Sequence, residues 1–146
     1  MRFFFYGTLM DRDVLVRVLG RPVIPAALKP AVLRGWRRTA RRGASYPVVV
    51  RDKAAHVDGV SVDGISKVEA ERLTAYEGPG YRLVQVFADF PALGPRAVFL
   101  FAPRPGTFVP THAEWSLADW QATHKKRFLA LLGHDGDGTA GAADRS

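Results

Sequence analysis

Phe3-Phe4-Phe5-Tyr6-Gly7-Thr8-Leu9 is an apolar run that stops at a glycine turn, with Asp11 following as a helix start. Residues 3–6 read as a buried strand whose carboxyl end carries several backbone N–H groups. In sheets flanked by helices, ligands collect at the carboxyl ends of strands, and Gly7 lets one approach the main chain closely. Alone, such a turn indicates no more than room for a small, oxygen-rich ligand. Roughly 70 residues later stands Ala75-Tyr76-Glu77-Gly78-Pro79-Gly80-Tyr81, a carboxylate at a helix end between two tyrosines. The two segments together suggest a site.

Working outward, Asp11 caps a helix whose Val14, Leu15, Val18 and Leu19 share one face, and Gly20 with Pro22 ends it. Strands are expected over Leu28 to Trp36 and Tyr46 to Val50, where β-branched and aromatic residues lie between Pro and Gly breakers. His56 to Ile65 alternates and reads as a further strand, bent or bulged at Gly59 and Gly64. Ser66-Lys67-Val68-Glu69 is a capping box opening a helix to about Tyr76, which Gly78-Pro79-Gly80 stops. Glu77 therefore falls where the chain turns back toward the sheet. Arg82 to Phe87 and Ala97 to Phe101 form two more strands about a turn at Pro91, Gly94 and Pro95. Pro103 to Pro110 is an ordered surface loop. Ser116 then caps a last helix bearing Leu117, Trp120, Phe128, Leu131 and Leu132, with Gly133 as its end. From residue 134 the chain is mostly Gly, Ala and Asp and is expected to be a disordered tail, leaving one domain over residues 1–133.

A chain of 146 residues, 47% apolar, suffices for one core. It contains no cysteine, so disulfides, thiolate nucleophiles and thiolate metal sites are excluded. No apolar run approaches the ~20 residues that span a bilayer and no secretory leader is visible, so a cytoplasmic protein with no membrane partner is expected. His56, His112, His124 and His134 match no metal spacing, and Asp135-Gly136-Asp137-Gly138 lacks the closing Glu of a calcium loop. No metal is expected. Ser45, Ser61 and Ser66 lack a Gly-x-Ser-x-Gly context, and the glycines fit neither a Walker loop nor a dinucleotide fingerprint.

The net charge is +7, with Arg34, Arg37, Arg38, Arg41 and Arg42 clustered. This cluster reads as a solvated basic face, or as a field that attracts a substrate carboxylate. Specific nucleic-acid binding is not expected, because no helix-turn-helix, zinc-finger or aromatic RNA platform accompanies it. Glu77, half-buried beside Tyr76 and Tyr81, would titrate high and could pass a proton near neutrality. On residue type alone, a Glu paired with Arg82 or capping a loop is an equal reading. Tyr6 and Tyr81 are likewise either cleft walls or plain core.

The ordered set of Tyr6-Gly7-Thr8-Leu9, Tyr76-Glu77-Gly78 and Tyr81 resembles the gamma-glutamylcyclotransferase-like superfamily. Tyr46-Pro47, Val57-Asp58-Gly59-Val60 and the pair Trp115 and Trp120 support it, and the resemblance covers most of the chain. The likeness is closest to the small bacterial and plant-type branch, which includes gamma-glutamylamine cyclotransferases. It implies an α+β fold, a small mixed β-barrel-like sheet flanked by helices. It also implies a cofactor-free enzyme with a small-molecule gamma-glutamyl substrate, from which the substrate's own α-amine closes 5-oxoproline and expels an amine. By the same resemblance Glu77 is the general acid/base, Tyr6, Gly7, Thr8 and Leu9 hold the glutamyl half, and Tyr81 lines the pocket. Thr74 and Leu83 depart from the family pattern on the leaving-amine side. A non-catalytic binding module, with the basic surface facing an acidic partner, is the alternative. The residues carry no decisive signal for an oligomer.

Overall fold

The computed structural model describes residues 1–135, with side chains through residue 132. Five strands close into a barrel: β1 (Phe3–Phe5), β2 (Lys29–Ala40), β3 (Pro47–Val62), β4 (Tyr81–Phe90) and β5 (Gly94–Pro103). Around the barrel their order is β1-β3-β2-β4-β5. Among the described residues four α-helices flank it: α1 (Arg12–Leu19), α2 (Lys67–Glu77), α3 (Leu117–Thr123) and α4 (Lys125–Asp135). The expected mixed barrel with flanking helices is what the chain forms. No described helix is long and apolar enough to cross a membrane.

The three phenylalanines are buried on both faces because they serve two cores. Successive strand residues point to opposite sides. Phe4 enters the barrel interior with Leu33, Val49, Val57 and Leu100, whereas Phe3 and Phe5 face outward onto Leu15, Leu19, Leu73 and Trp120 of the helical layer. β1 runs antiparallel to β3, with Phe4 opposite Ser61, and parallel to β5, with Phe3 opposite Phe99. A short strand thus joins the two long hairpins, β2–β3 and β4–β5, into one closed sheet. Gly59 makes room for it: a Cβ there would stand 2.5 Å from both Phe4 Cζ and the Phe5 carbonyl oxygen.

The caps follow the sequence. Asp11 accepts from the Asp13 and Val14 N–H groups, and Ser66 and Glu69 make both bonds of the capping box. Asp11 also accepts from Gln121 Nε2 at 2.8 Å and Lys125 Nζ at 2.9 Å, tying α1 to the last two helices. Glu69 accepts from Arg21.

Several expectations change. Tyr46 to Val50 and His56 to Ile65 are not separate strands but parts of β3, which ends at Val62. The polar residues 52–55 interrupt the apolar pattern without ending the strand. They bulge opposite Gly35, where the register jumps from Arg34↔His56 to Trp36↔Arg51. The irregularity therefore lies there and not at Gly59, which stays paired with Ala31. The single last helix is two, because His124 leaves the helical region at φ −120° between α3 and α4. Neither glycine nor proline signals that break. α4 also passes through Gly133 to Asp135, and Leu131 is 53% exposed rather than part of the buried stripe. The tail proposed from residue 134, and the Asp135-Gly136-Asp137-Gly138 run, otherwise lie outside the described residues.

Replacing Gly59 with Ala overpacks the point where β1 crosses β3 and should cost about 2 kcal/mol, read as a fall in urea midpoint. Acid should weaken the fold as well. Burial raises Asp11, but the hydrogen bonds from Lys125, Gln121 and Val14 outweigh it and hold its carboxyl below the usual value. The Arg21 hydrogen bond likewise lowers Glu69. Groups lowered in the folded state stabilise it above the unfolded value near 4 and lose that contribution as pH falls further. Asp11→Ala should flatten this acid limb as well as lower the midpoint at neutral pH; an unchanged limb would refute the assignment.

Candidate active site

A narrow cleft opens at the carboxyl end of β1, where ligands collect in sheets flanked by helices. The turn supplies one wall. Gly7 precedes a short 3-10 segment, Thr8–Met10, whose hydrogen bonds run from Met10 N to the Gly7 carbonyl and from Asp11 N to the Thr8 carbonyl. A Cβ at Gly7 would meet the Pro47 ring at 3.2 Å, so the glycine lets the turn lie against the start of β3. The opposite wall is the end of α2. Gly78 stops that helix at φ 88°, a conformation that favours glycine, and the chain turns into β4 at Tyr81. Tyr76, Glu77 and Tyr81 face the same cleft as Tyr6, Gly7, Thr8 and Leu9.

The six candidate site residues, Tyr6, Gly7, Thr8, Leu9, Glu77 and Tyr81, therefore line this one cleft. Their hydroxyls are used in ways that residue type did not indicate. Tyr6 Oη donates to the Phe101 carbonyl oxygen at 2.8 Å, which fastens the end of β1 to β5. Thr8 Oγ1 and Tyr76 Oη share a buried hydrogen bond of 2.8 Å. The Tyr76 ring meets Phe128 edge-on, so α2, the turn and α4 converge on one phenol. Tyr6 is thus both core and wall, as is Tyr81. Arg82 lines a neighbouring groove rather than the cleft.

The electrostatics centre on Glu77, which is half-buried. Burial, then the charges of Tyr81 and Glu77, push the Tyr6 phenol well above its ordinary value. Burial, then the charges of Glu77 and Tyr46, push Tyr81 up too, while Arg41 pulls it partly back through its charge and a hydrogen bond. Both phenols stay neutral beside the carboxylate. Among the described residues, no three His, Cys, Asp or Glu side chains stand together as a metal site.

Four further residues shape the cleft or its rim. Tyr46, Pro47 and Phe101 line it. Arg41 stands behind Tyr81, with its guanidinium carbon 4.8 Å from the centre of the Tyr46 ring and 4.2 Å from that of Phe108. The arginine cluster is not one solvated face. Arg34 pairs with Asp89 and Arg37 with Asp52. Arg38 turns inward and donates to the Tyr6 and Asp58 carbonyl oxygens, both at 3.0 Å, and burial lowers its guanidinium. The Tyr46-Pro47 pair in the sequence was the available signal for this wall; the inward arginines had none.

Raised phenols carry a stability signature. Tyr6 and Tyr81 keep their protons where unfolded tyrosines ionise, so the native state should lose stability as pH rises above about 10. Phenolate absorbance from these two residues should appear only with unfolding. Early ionisation of all four tyrosines in the folded protein would contradict the buried cleft.

Residues 3–122 match the model of the family described as gamma-glutamyl cyclotransferase, AIG2-like. AIG2-like protein A of Arabidopsis thaliana is 30% identical over 132 residues, covering 86% of this chain and 75% of its own. A solution structure of an Arabidopsis thaliana protein, 29% identical, superposes with a TM-score of 0.63 over 90% of this chain and 87% of that one. A structure of a gamma-glutamyl cyclotransferase shares the fold, at TM-score 0.57 and 14% identity, over 75% of this chain and 68% of that one.

Proposed function

This chain belongs to the gamma-glutamyl cyclotransferase, AIG2-like family, and from that premise we propose that it cleaves a gamma-glutamyl amide with Glu77 as general acid/base. The observation that carries the proposal is the meeting of Glu77 with the Tyr6-Gly7-Thr8-Leu9 turn in one cleft, among phenols that stay neutral.

The substrate's α-amine attacks its own γ-carbonyl carbon, forming the ring C–N bond as the amide C–N bond breaks. Glu77 takes the proton that the attacking nitrogen must lose and delivers it to the departing nitrogen, so no water is consumed. The products are 5-oxoproline and a free amine. Ring closure is intramolecular, and holding the glutamyl half folded supplies much of the acceleration. Backbone N–H groups of the turn at residues 7–9 meet the glutamyl carboxylate or the developing oxyanion. The Thr8 hydroxyl, bonded to Tyr76, positions the turn on α2. Tyr6 and Tyr81 wall the pocket and keep water from the proton transfer. The dispersal of the arginines into ion pairs and inward contacts favours this reading over a binding module that needs one basic face.

Glu77→Gln keeps the side chain's size and removes its titratable proton. It should reduce 5-oxoproline release from gamma-glutamyl amides at least a hundredfold, within the usual reach of acid–base catalysis, with an unchanged circular dichroism spectrum. Release from the wild type at the same rate as from the variant would overturn the assignment.

A further inference from the structure

Arg41 is the residue that the proposed chemistry leaves unexplained. Its guanidinium lies between the rings of Tyr46, which lines the cleft, and Phe108, which lines the groove beside it. Its charge pulls the raised Tyr81 phenol partly back. Nη1 is closed off from solvent and has no hydrogen-bond partner among the described residues. A buried guanidinium N–H without an acceptor is costly, so its persistence asks for a partner that the chain does not supply. A carboxylate matches the planar fork of a guanidinium better than any other common acceptor.

The surroundings point the same way. Arg51, Arg82 and Arg104 line the adjoining groove over a floor that includes Trp36, Ala102 and Phe108. No carboxylate lines that groove, and none of these three arginines has an ion pair among the described residues. Arg104 reaches back to the Pro79 carbonyl oxygen at 3.0 Å, which holds the groove's loop against the segment that follows Glu77. A cationic group leaving the cleft in this direction would meet four guanidinium groups, whereas an anionic one would be drawn in.

We propose that Arg41, at the junction of the cleft and the arginine-lined groove, receives a carboxylate on the leaving half of the substrate. The expelled amine is then an amino acid or short peptide rather than a diamine or polyamine. This assignment rests on the gamma-glutamyl reading of the cleft. Phe108 covers Arg41 and is the side chain that must yield for the carboxylate to reach Nη1.

The test compares gamma-glutamyl-alanine, its carboxamide and gamma-glutamyl-putrescine. The wild type should favour the carboxylate over the carboxamide about tenfold in kcat/KM, chiefly through KM, and should disfavour the diamine further. The preference should shrink with added salt. Arg41→Gln should bring the carboxylate-to-carboxamide ratio near one, and Arg41→Lys should restore part of it. Should Arg41→Gln fail to fold, the exposed double variant Arg82→Gln, Arg104→Gln should still lower the ratio. Equal turnover of all three substrates would overturn the charge preference and leave the reaction standing. Without 5-oxoproline from any of them, the reaction falls, and calorimetric binding of the three compounds to the Glu77→Gln protein decides the other question. The same ranking there keeps the carboxylate site; equal binding, or none, removes it.

Discussion

The structure depends on a three-residue strand fitting where β3 leaves no room for a side chain. β1 is too short to hold a sheet by its own hydrogen bonds, yet it is the member that pairs with both hairpins. What keeps it there is burial from two directions, with Phe4 in the barrel and Phe3 and Phe5 under the helices. Each fully buried phenylalanine contributes on the order of 2–3 kcal/mol relative to exposure. Gly59 is the complement of that arrangement, since any larger residue would collide with Phe4. Where β1 ends, the chain has no choice but to turn at the barrel's rim, and that turn is the wall of the cleft.

The cleft then follows from convergence. The turn rests on Pro47 at the start of β3, Tyr6 is fastened to β5, and Thr8 is bonded to the last turn of α2. Glu77 is held at the end of that helix, which is itself packed on α4 through Tyr76. The carboxylate therefore belongs to a rigid corner rather than to a mobile loop, and its neighbours are phenols that do not ionise beside it. The proton transfer proposed for Glu77 would gain from such a setting, because the neighbouring phenols stay neutral.

Much of this was readable from residue order. Caps and breakers have local causes, so Asp11, Ser66 with Glu69, and Gly78 announced their helix ends before any tertiary contact was known. The pairing of the 6–9 turn with Glu77 came from their resemblance to a known arrangement, and the structure brings them to one cleft. What escaped was decided at long range. β3 continues through residues 52–55 because β2 resumes pairing beyond the bulge, which no local apolar pattern records. His124 breaks the last helix without a breaker residue. Arg38 and Arg41 resemble surface arginines until the closed barrel supplies the carbonyls and aromatic rings they turn toward.

The bulge opposite Gly35 divides the β2–β3 hairpin into two halves with different duties. The half from Lys29 to Arg34 pairs with residues 56–61 and belongs to barrel closure. The half from Trp36 onward pairs with residues 47–51 and leads to Tyr46 and Pro47 in the cleft wall, with Arg41 stacked behind Tyr46. The outer half is nonetheless part of the frame: Val49 fills the barrel interior while Tyr46 and Pro47 wall the cleft, so a change in that wall is felt by the barrel that holds Glu77.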